Sequence, residues 1–283
     1  MSYLNSQAIV STDWLSNNIN NPNLVILDGT YHLPTANRNA AEEFLLKHIE
    51  SAVFFDIDDI ADVDHGLPHM LPSDKVFSDK VGALGINNEK RVVVYDVYGM
   101  QSAARTWWMF RFFGHENVSV LDGGLPKWIK EGNKISSSPV TPSPTTFVCN
   151  RQPRLVKSLN DIKEIVKGEK GQIIDARSLG RFNGTEPEPR PGMRSGHMPG
   201  AISLPFTKFL DPESKTYISN EKINHLIKEL NIDVNQPITT ACGSGVTACA
   251  LALGLFLIGK TDVAVYDGSW SEWGALSDTS IVQ

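Results

Sequence analysis

The chain is written twice, and this constrains its fold more than any other feature. LVILDGTYHL at 24–33 aligns with QIIDARSLGRF at 172–182, setting Asp28 over Asp175 at an offset of 147. HIESAVFFDI at 48–57 aligns with HMPGAISLPF at 197–206 at 149, and VVVYD at 92–96 with ITTAC at 238–242 at 146. The apolar run 102–114 meets 247–259, and DGGLPKW at 122–128 meets DGSWSEW at 267–273, both at 145. Collinear matches with so little drift are the signature of a tandem duplication. The intervening stretch EGNKISSSPVTPSPTTF, rich in Ser, Thr and Pro, excludes a packed helix or central strand and predicts a linker of limited flexibility. The expected domains are 1–138 and 153–283, joined by a linker at 139–152.

Within each copy, β-branched runs (VVVYD, VSVLD; QIID, ITTA, VAVYD) alternate with helical patterns (NEKINHLIKELNI, VTACALALGLFLIG), as in βαβ units on a parallel sheet. The expected fold class is α/β, two tandem domains, each a mostly parallel sheet flanked by helices. A chain of 283 residues that is 41% hydrophobic can supply the core for both.

In such sheets ligands bind beyond the carboxyl ends of the strands, where the next helix starts. CGSGVTAC, beginning at Cys242, lies at such a point, between PITTA and the apolar run LALGLFLIG. Gly243 and Gly245 allow backbone angles closed to other residues, so the N–H groups of GSGVT are expected to turn inward as a nest over the positive end of the helix. That arrangement favours an anion, here the thiolate of Cys242 acting as nucleophile. The competing reading, a small buried hydrophobe, suits Cys249, two turns into the apolar helix, and Cys149 in the linker reads as incidental. The three cysteines lack metal-ligand spacing, so no metal, disulfide framework or organic cofactor is expected.

A thiolate in an amide nest suits three chemistries. A cysteine phosphatase needs an arginine six residues on to clamp phosphate, and Ala248 stands there. A papain-like hydrolase needs a histidine base, and none lies near the loop in sequence. Sulfur transfer needs only the thiolate and amides that hold a persulfide. A non-catalytic thiol redox sensor is the alternative from another class. The net charge of −6 and the absence of a basic run exclude nucleic acid as the expected partner. No apolar run is long enough to cross a bilayer, and no targeting pattern opens the chain, so the expected compartment is the cytoplasm, with the mitochondrion as the alternative.

CGSGVTAC at 242, GRFNGTEPEPRPG at 180, GHMPGA at 196, FFDID at 54, HMLP at 69, SAARTWWMFRFFGH at 102 and DGSWSEWG at 267 resemble the tandem rhodanese-type sulfurtransferases over nearly the whole chain. The resemblance implies that Cys242 becomes a persulfide, and that Ser244 acts with Asp58 and His69 of the first domain as a catalytic group. It implies that Arg181 and Arg190 hold the carboxylate of a 2-oxo acid, for which a planar guanidinium suits better than lysine. Gly243, Gly245, Val246 and Thr247 are the expected substrate-binding backbone. The thiosulfate-using members carry two basic residues after the cysteine; neutral Gly243 and Ser244 imply a donor with one carboxylate, 3-mercaptopyruvate, with thiosulfate as the alternative. The implied acceptor is a thiol such as thioredoxin, with release of hydrogen sulfide, or cyanide.

Asp96 takes the place of Cys242 in the first copy, in a loop one residue longer, which predicts neither nucleophile nor an equivalent nest there. The site is therefore expected between the domains, with the first as one wall. Apart from the resemblance, Asp58 between Asp56 and Asp59 reads as a solvated acidic turn and His69 as a loop histidine. Arg181, Arg190 and Arg194 in an acidic chain read as a local anion site. Trp107, Trp108, Trp270 and Trp273 read as core and interdomain packing.

Overall fold

A computed structural model describes residues 3–283. The first copy contributes β1 (Ile9–Val10), β2 (Leu24–Asp28), β3 (His48–Ile49), β4 (Val53–Phe54), β5 (Arg91–Tyr95), β6 (Val118–Leu121) and β7 (Ile135–Ser136). The second contributes β8 (Val156–Lys157), β9 (Gln172–Asp175), β10 (Ile202–Ser203), β11 (Ile238–Ala241) and β12 (Ala264–Tyr266). Two five-stranded sheets result, ordered β1-β6-β5-β2-β4 and β8-β12-β11-β9-β10, and every pairing in them is parallel. The two orders match strand for strand, so the duplication legible in the sequence is a duplication of topology. β3 and β7 form a separate antiparallel ribbon. The central strands β5 and β11 are nearly continuous in β-branched residues because helices cover both faces of a parallel sheet.

The helices of the first copy are α1 (Thr12–Asn18), α2 (Ala40–Leu46), α3 (Asp74–Ala83), α4 (Ala103–Phe112) and α5 (Gly124–Lys130). Those of the second are α6 (Leu159–Val166), α7 (Leu179–Phe182), α8 (Asn220–Glu229), α9 (Ala248–Leu257) and α10 (Ser269–Trp273). α8 buries only Ile223 and Ile227 and is capped by Ser219, as its amphipathic pattern requires. α9 is apolar on every side because it lies between its own sheet and α4, its counterpart in the first copy. It ends where Gly259, at φ +101°, donates its N–H to Phe256.

α4 and α9 pack against each other, and one hydrophobic core runs through both copies. Trp107 of α4 and Phe256 of α9 meet edge to face with centroids 5.5 Å apart. Each sheet also covers its outer face with a smaller cluster, Trp128 in one and Trp270 and Trp273 in the other. All four tryptophans singled out in the sequence are buried in packing. The segment 139–152 is held along the first copy: Thr145 N–H donates to Gly82 O, Asn150 N–H to Phe113 O, and Phe147 is buried against Phe77. No helix among the described residues is long and apolar enough to cross a membrane.

Candidate active site

β11 ends at Ala241 and delivers Cys242 into the turn that starts α9. Cys242 is only 2% exposed, yet it lines a cleft of about 210 Å³ with Gly243, Ser244, Val246 and Thr247 of its own loop. Arg181, Arg190 and Phe206 of the second copy and Tyr31, Leu33 and Gln101 of the first complete the walls. The cleft therefore lies between the copies, beyond the carboxyl ends of β2, β9 and β11, where the parallel-sheet rule puts it.

The loop differs in detail from its sequence-based expectation. Of its two glycines only Gly245, at φ +74°, uses the left-handed region; a Cβ there would also meet Asp267 O at 2.9 Å and an Arg105 nitrogen at 3.0 Å. Gly243 is small for another reason: a Cβ on it would lie 2.9 Å from the Arg181 guanidinium. The Gly245 N–H does not turn toward the cleft. It donates to Ser269 Oγ at 3.1 Å, as Cys242 N–H does at 3.2 Å, while Ser269 Oγ donates to Tyr266 O at 2.7 Å. Among the described residues the amides of Gly243, Ser244, Val246 and Thr247 have no protein acceptor. Those four unpaired donors beside Cys242 are what remains of the expected nest.

The first copy shows what such a nest holds. Asp96 is fully buried, and its Oδ1 accepts from the Tyr98 and Gly99 amides at 2.9 and 2.8 Å, its Oδ2 from those of Ser102 and Ala103 at 2.7 and 2.8 Å. The first copy's nest is thus a different one: its longer loop converges four amides at the start of α4, and a built-in carboxylate, not a nucleophile, fills them.

The arginines have distinct surroundings. Arg181 pairs with Glu188, Nη2 to Oε2 at 2.5 Å. Glu188 also takes Arg177 at 2.7 Å, whose other donors hold Asp175 and Gly196 O, so Arg177, missed in the sequence, is a buried brace in the wall of the cleft. Arg190 pairs with no carboxylate among the described residues; its Nη2 reaches Tyr31 Oη and His69 Nε2, both at 3.2 Å. Arg194 does not join them. It donates to Trp273 O, Gly274 O, Leu276 O and Thr279 O and pins the C-terminal segment, so its inclusion in an anion site is corrected.

His69 is 4% exposed, at φ +62°, with its ring edge-on to Tyr31. Its Nδ1 lies 3.0 Å from Asp58 Oδ1, at ion-pair distance but out of line for a hydrogen bond. A guanidinium has no acceptor, so Nε2 presents its lone pair to Arg190 and the ring proton sits on Nδ1, toward Asp58. Burial lowers the His69 pKa below 6.5, with Arg105 and Arg190 acting in the same sense and Asp58 opposing them. Asp58 lies in an exposed turn headed by Asp56, and its N–H donates to Asp56 Oδ1. The structure thus brings Asp58, His69 and Arg190 together, while Ser244, buried beside Cys242, bonds to neither His69 nor Asp58. Tyr31 and Gln101, also missed, follow the ends of β2 and β5; their signal was alignment with the second copy's cleft residues.

One guanidinium ties these loops together. Arg105, on α4 and fully buried, donates to Asp267 Oδ1 at 2.7 Å, to Gly245 O at 3.4 Å and to His69 O. Asp267 Oδ2 accepts from Leu71 N–H at 2.7 Å, next to the His69 turn. Cys249 Sγ donates to the same Gly245 carbonyl at 3.1 Å, and burial pushes its thiol well up, as fits a core cysteine.

The rhodanese-like domain family matches residues 11–131 and 158–276. The chain belongs to the rhodanese family. It is 45% identical over 98% of its length to a thiosulfate/3-mercaptopyruvate sulfurtransferase 1, mitochondrial, of Arabidopsis thaliana, covering 78% of that protein. It is 44% identical to human 3-mercaptopyruvate sulfurtransferase, covering 94% of this chain and 92% of that one. The rhodanese fold superposes on the crystal structure of SseA from Escherichia coli, a 3-mercaptopyruvate sulfotransferase, with a TM-score of 0.85 at 36% identity, over 94% of this chain and 99% of that one. In rhodanese terms this chain has one filled nest, at Asp96, and one open nest, at Cys242.

Proposed function

We propose that the protein transfers the sulfur of 3-mercaptopyruvate through a Cys242 persulfide to an acceptor thiol or cyanide. The observation that carries this reading is the pairing, in one interdomain cleft, of Cys242 and the amides of Gly243, Ser244, Val246 and Thr247 with Arg190, the amides having no acceptor and the cation no carboxylate partner among the described residues. The thiolate attacks the donor sulfur, a sulfur–sulfur bond forms, the carbon–sulfur bond breaks, and its electron pair leaves as the pyruvate enolate, which takes up a proton. The terminal persulfide sulfur then sits as an anion where the first copy places the Asp96 carboxylate. A thiol such as thioredoxin accepts that sulfur and a second thiol releases hydrogen sulfide; cyanide yields thiocyanate.

Arg190 binds the donor carboxylate; Arg181, already paired with Glu188, flanks it and closes on Gly243. His69, neutral with Nδ1 toward Asp58, is placed to exchange a proton at Nε2 once the carboxylate draws Arg190 away. Ser244 contributes its amide and a hydroxyl beside Cys242. The names of relatives also support a second reading, thiosulfate as donor, but Gly243 and Ser244 add no positive charge for a dianion. The expected compartment is the cytoplasm; the mitochondrial name of the Arabidopsis relative supports the alternative, and imaging of the tagged chain separates them.

Intact mass after incubation with 3-mercaptopyruvate alone should rise by one sulfur atom on the wild type and not on Cys242→Ser. An unchanged wild-type mass ends the proposal, and faster turnover with thiosulfate than with 3-mercaptopyruvate replaces the donor.

A further inference from the structure

A second cavity of about 360 Å³ opens beside the packed helices α4 and α9, sharing no residue with the catalytic cleft. Trp107 and Arg111 of α4 line it with Phe256 of α9, Arg154, Gln7 and Thr261. Arg111 is 8% exposed, and among the described residues its side chain makes no hydrogen bond and pairs with no carboxylate. Arg105, on the same helix and fully buried, shows the usual solution, a buried aspartate.

Arg111 has its carbon centre 4.1 Å from the Phe256 ring and 4.9 Å from the Trp107 ring. Aromatic faces attract a guanidinium but accept none of its in-plane N–H bonds, so the donors are left for the cavity. Burial lowers the Arg111 pKa to about 10, with Glu116 opposing and the Arg154 charge adding to the drop, which leaves it cationic at neutral pH. Arg154 spends one donor on Gln152 Oε1 at 2.6 Å and keeps the rest. Two guanidinia facing one cavity, against a single exposed Glu116, give it a local positive balance in a chain of net charge −6.

We propose that this cavity is a binding site for a small tetrahedral oxyanion of the sulfate or phosphate class, held by Arg111 and Arg154 with Thr261 and Gln7 at its rim. Because its walls come from α4 and α9, an occupant bridges the two copies and stabilises their packed arrangement by mass action.

Thermal unfolding and calorimetric titration of the full chain with sodium sulfate and sodium phosphate, against sodium chloride at matched ionic strength, test it. The wild type should show a saturable rise in Tm with either ion. Arg111→Met should weaken binding by at least about tenfold, the size expected for a lost charge-assisted contact. Arg154→Gln should weaken it by a smaller factor, and Arg190→Met, in the catalytic cleft, should retain it. A wild type that responds no more than to chloride overturns the proposal. So does a response lost in Arg190→Met and kept in Arg111→Met, which puts the ion in the catalytic cleft. If Arg111→Met does not fold, unchanged affinity in Arg154→Gln, an exposed position, is decisive against it.

Discussion

Ser269 holds the nucleophile loop at a cost in backbone strain. It sits at φ +50° where the first copy has Gly124 at φ +55°, and its hydroxyl accepts the amides of Cys242 and Gly245. Left-handed backbone costs a non-glycine residue about 1–2 kcal/mol, and a buried amide without an acceptor about 1–3 kcal/mol. Ser269→Ala keeps the strain and loses the acceptor; Ser269→Gly loses both. Both variants should slow persulfide formation, and urea denaturation should find the alanine variant less stable than the glycine one by about 1 kcal/mol. His69 gives a pH signature at the same scale. Folding lowers its pKa below 6.5, so folding selects the neutral ring. Its contribution to stability is complete above 6.5 and is lost as pH falls through the folded-state value. An NMR titration should place the midpoint below 6.5, and His69→Gln should flatten the fall in stability with acid in that window.

At the scale of elements, the same unit, a parallel strand, a tight loop and a buried helix, occurs in two electrostatic states. β5, its loop and α4 carry their own anion, with Asp96 accepting four amides; in the loop between β11 and α9 the amides of Gly243, Ser244, Val246 and Thr247 are open among the described residues. Asp96→Ala should therefore destabilise the protein by about 3 kcal/mol or more through unsatisfied buried donors, with Asp96→Asn losing less, as denaturation curves will show. The mass gain on Cys242 in the folded fraction should be unchanged. The alternation of β-branched runs with helical patterns was enough to place these units and to seat the cysteine at a strand end. Loop length told the two loops apart but not that the first fills its own nest, because amide direction depends on where the helix starts, not on residue count. Whether Gly243 serves for angle or for space was equally hidden, since the neighbour that forbids its Cβ is Arg181, in another element.

Across the whole molecule the two copies behave as one body. One core passes through α4 and α9, and the Arg105–Asp267 pair, both partners buried, joins the copies at the site. Unfolding should proceed in a single cooperative transition by calorimetry. Arg105→Met should remove about 3–5 kcal/mol by leaving Asp267 uncompensated, and Asp267→Asn added to it should recover part of that loss. The single variant should also lower kcat, since the His69 and Gly245 carbonyls lose their common donor.

The sequence by itself determined the duplication, the parallel α/β class and the cysteine at the head of an apolar helix, because each is written in local periodicity and spacing. Tertiary structure decided the rest: that Arg194 braces a tail while Arg190 faces the cleft, that His69 meets Arg190 and not Ser244, and that Ser269 holds the loop. These depend on side chains brought together from distant positions by the packing of two helices, and no pattern along one stretch of chain encodes which of several like charges will be left without a partner.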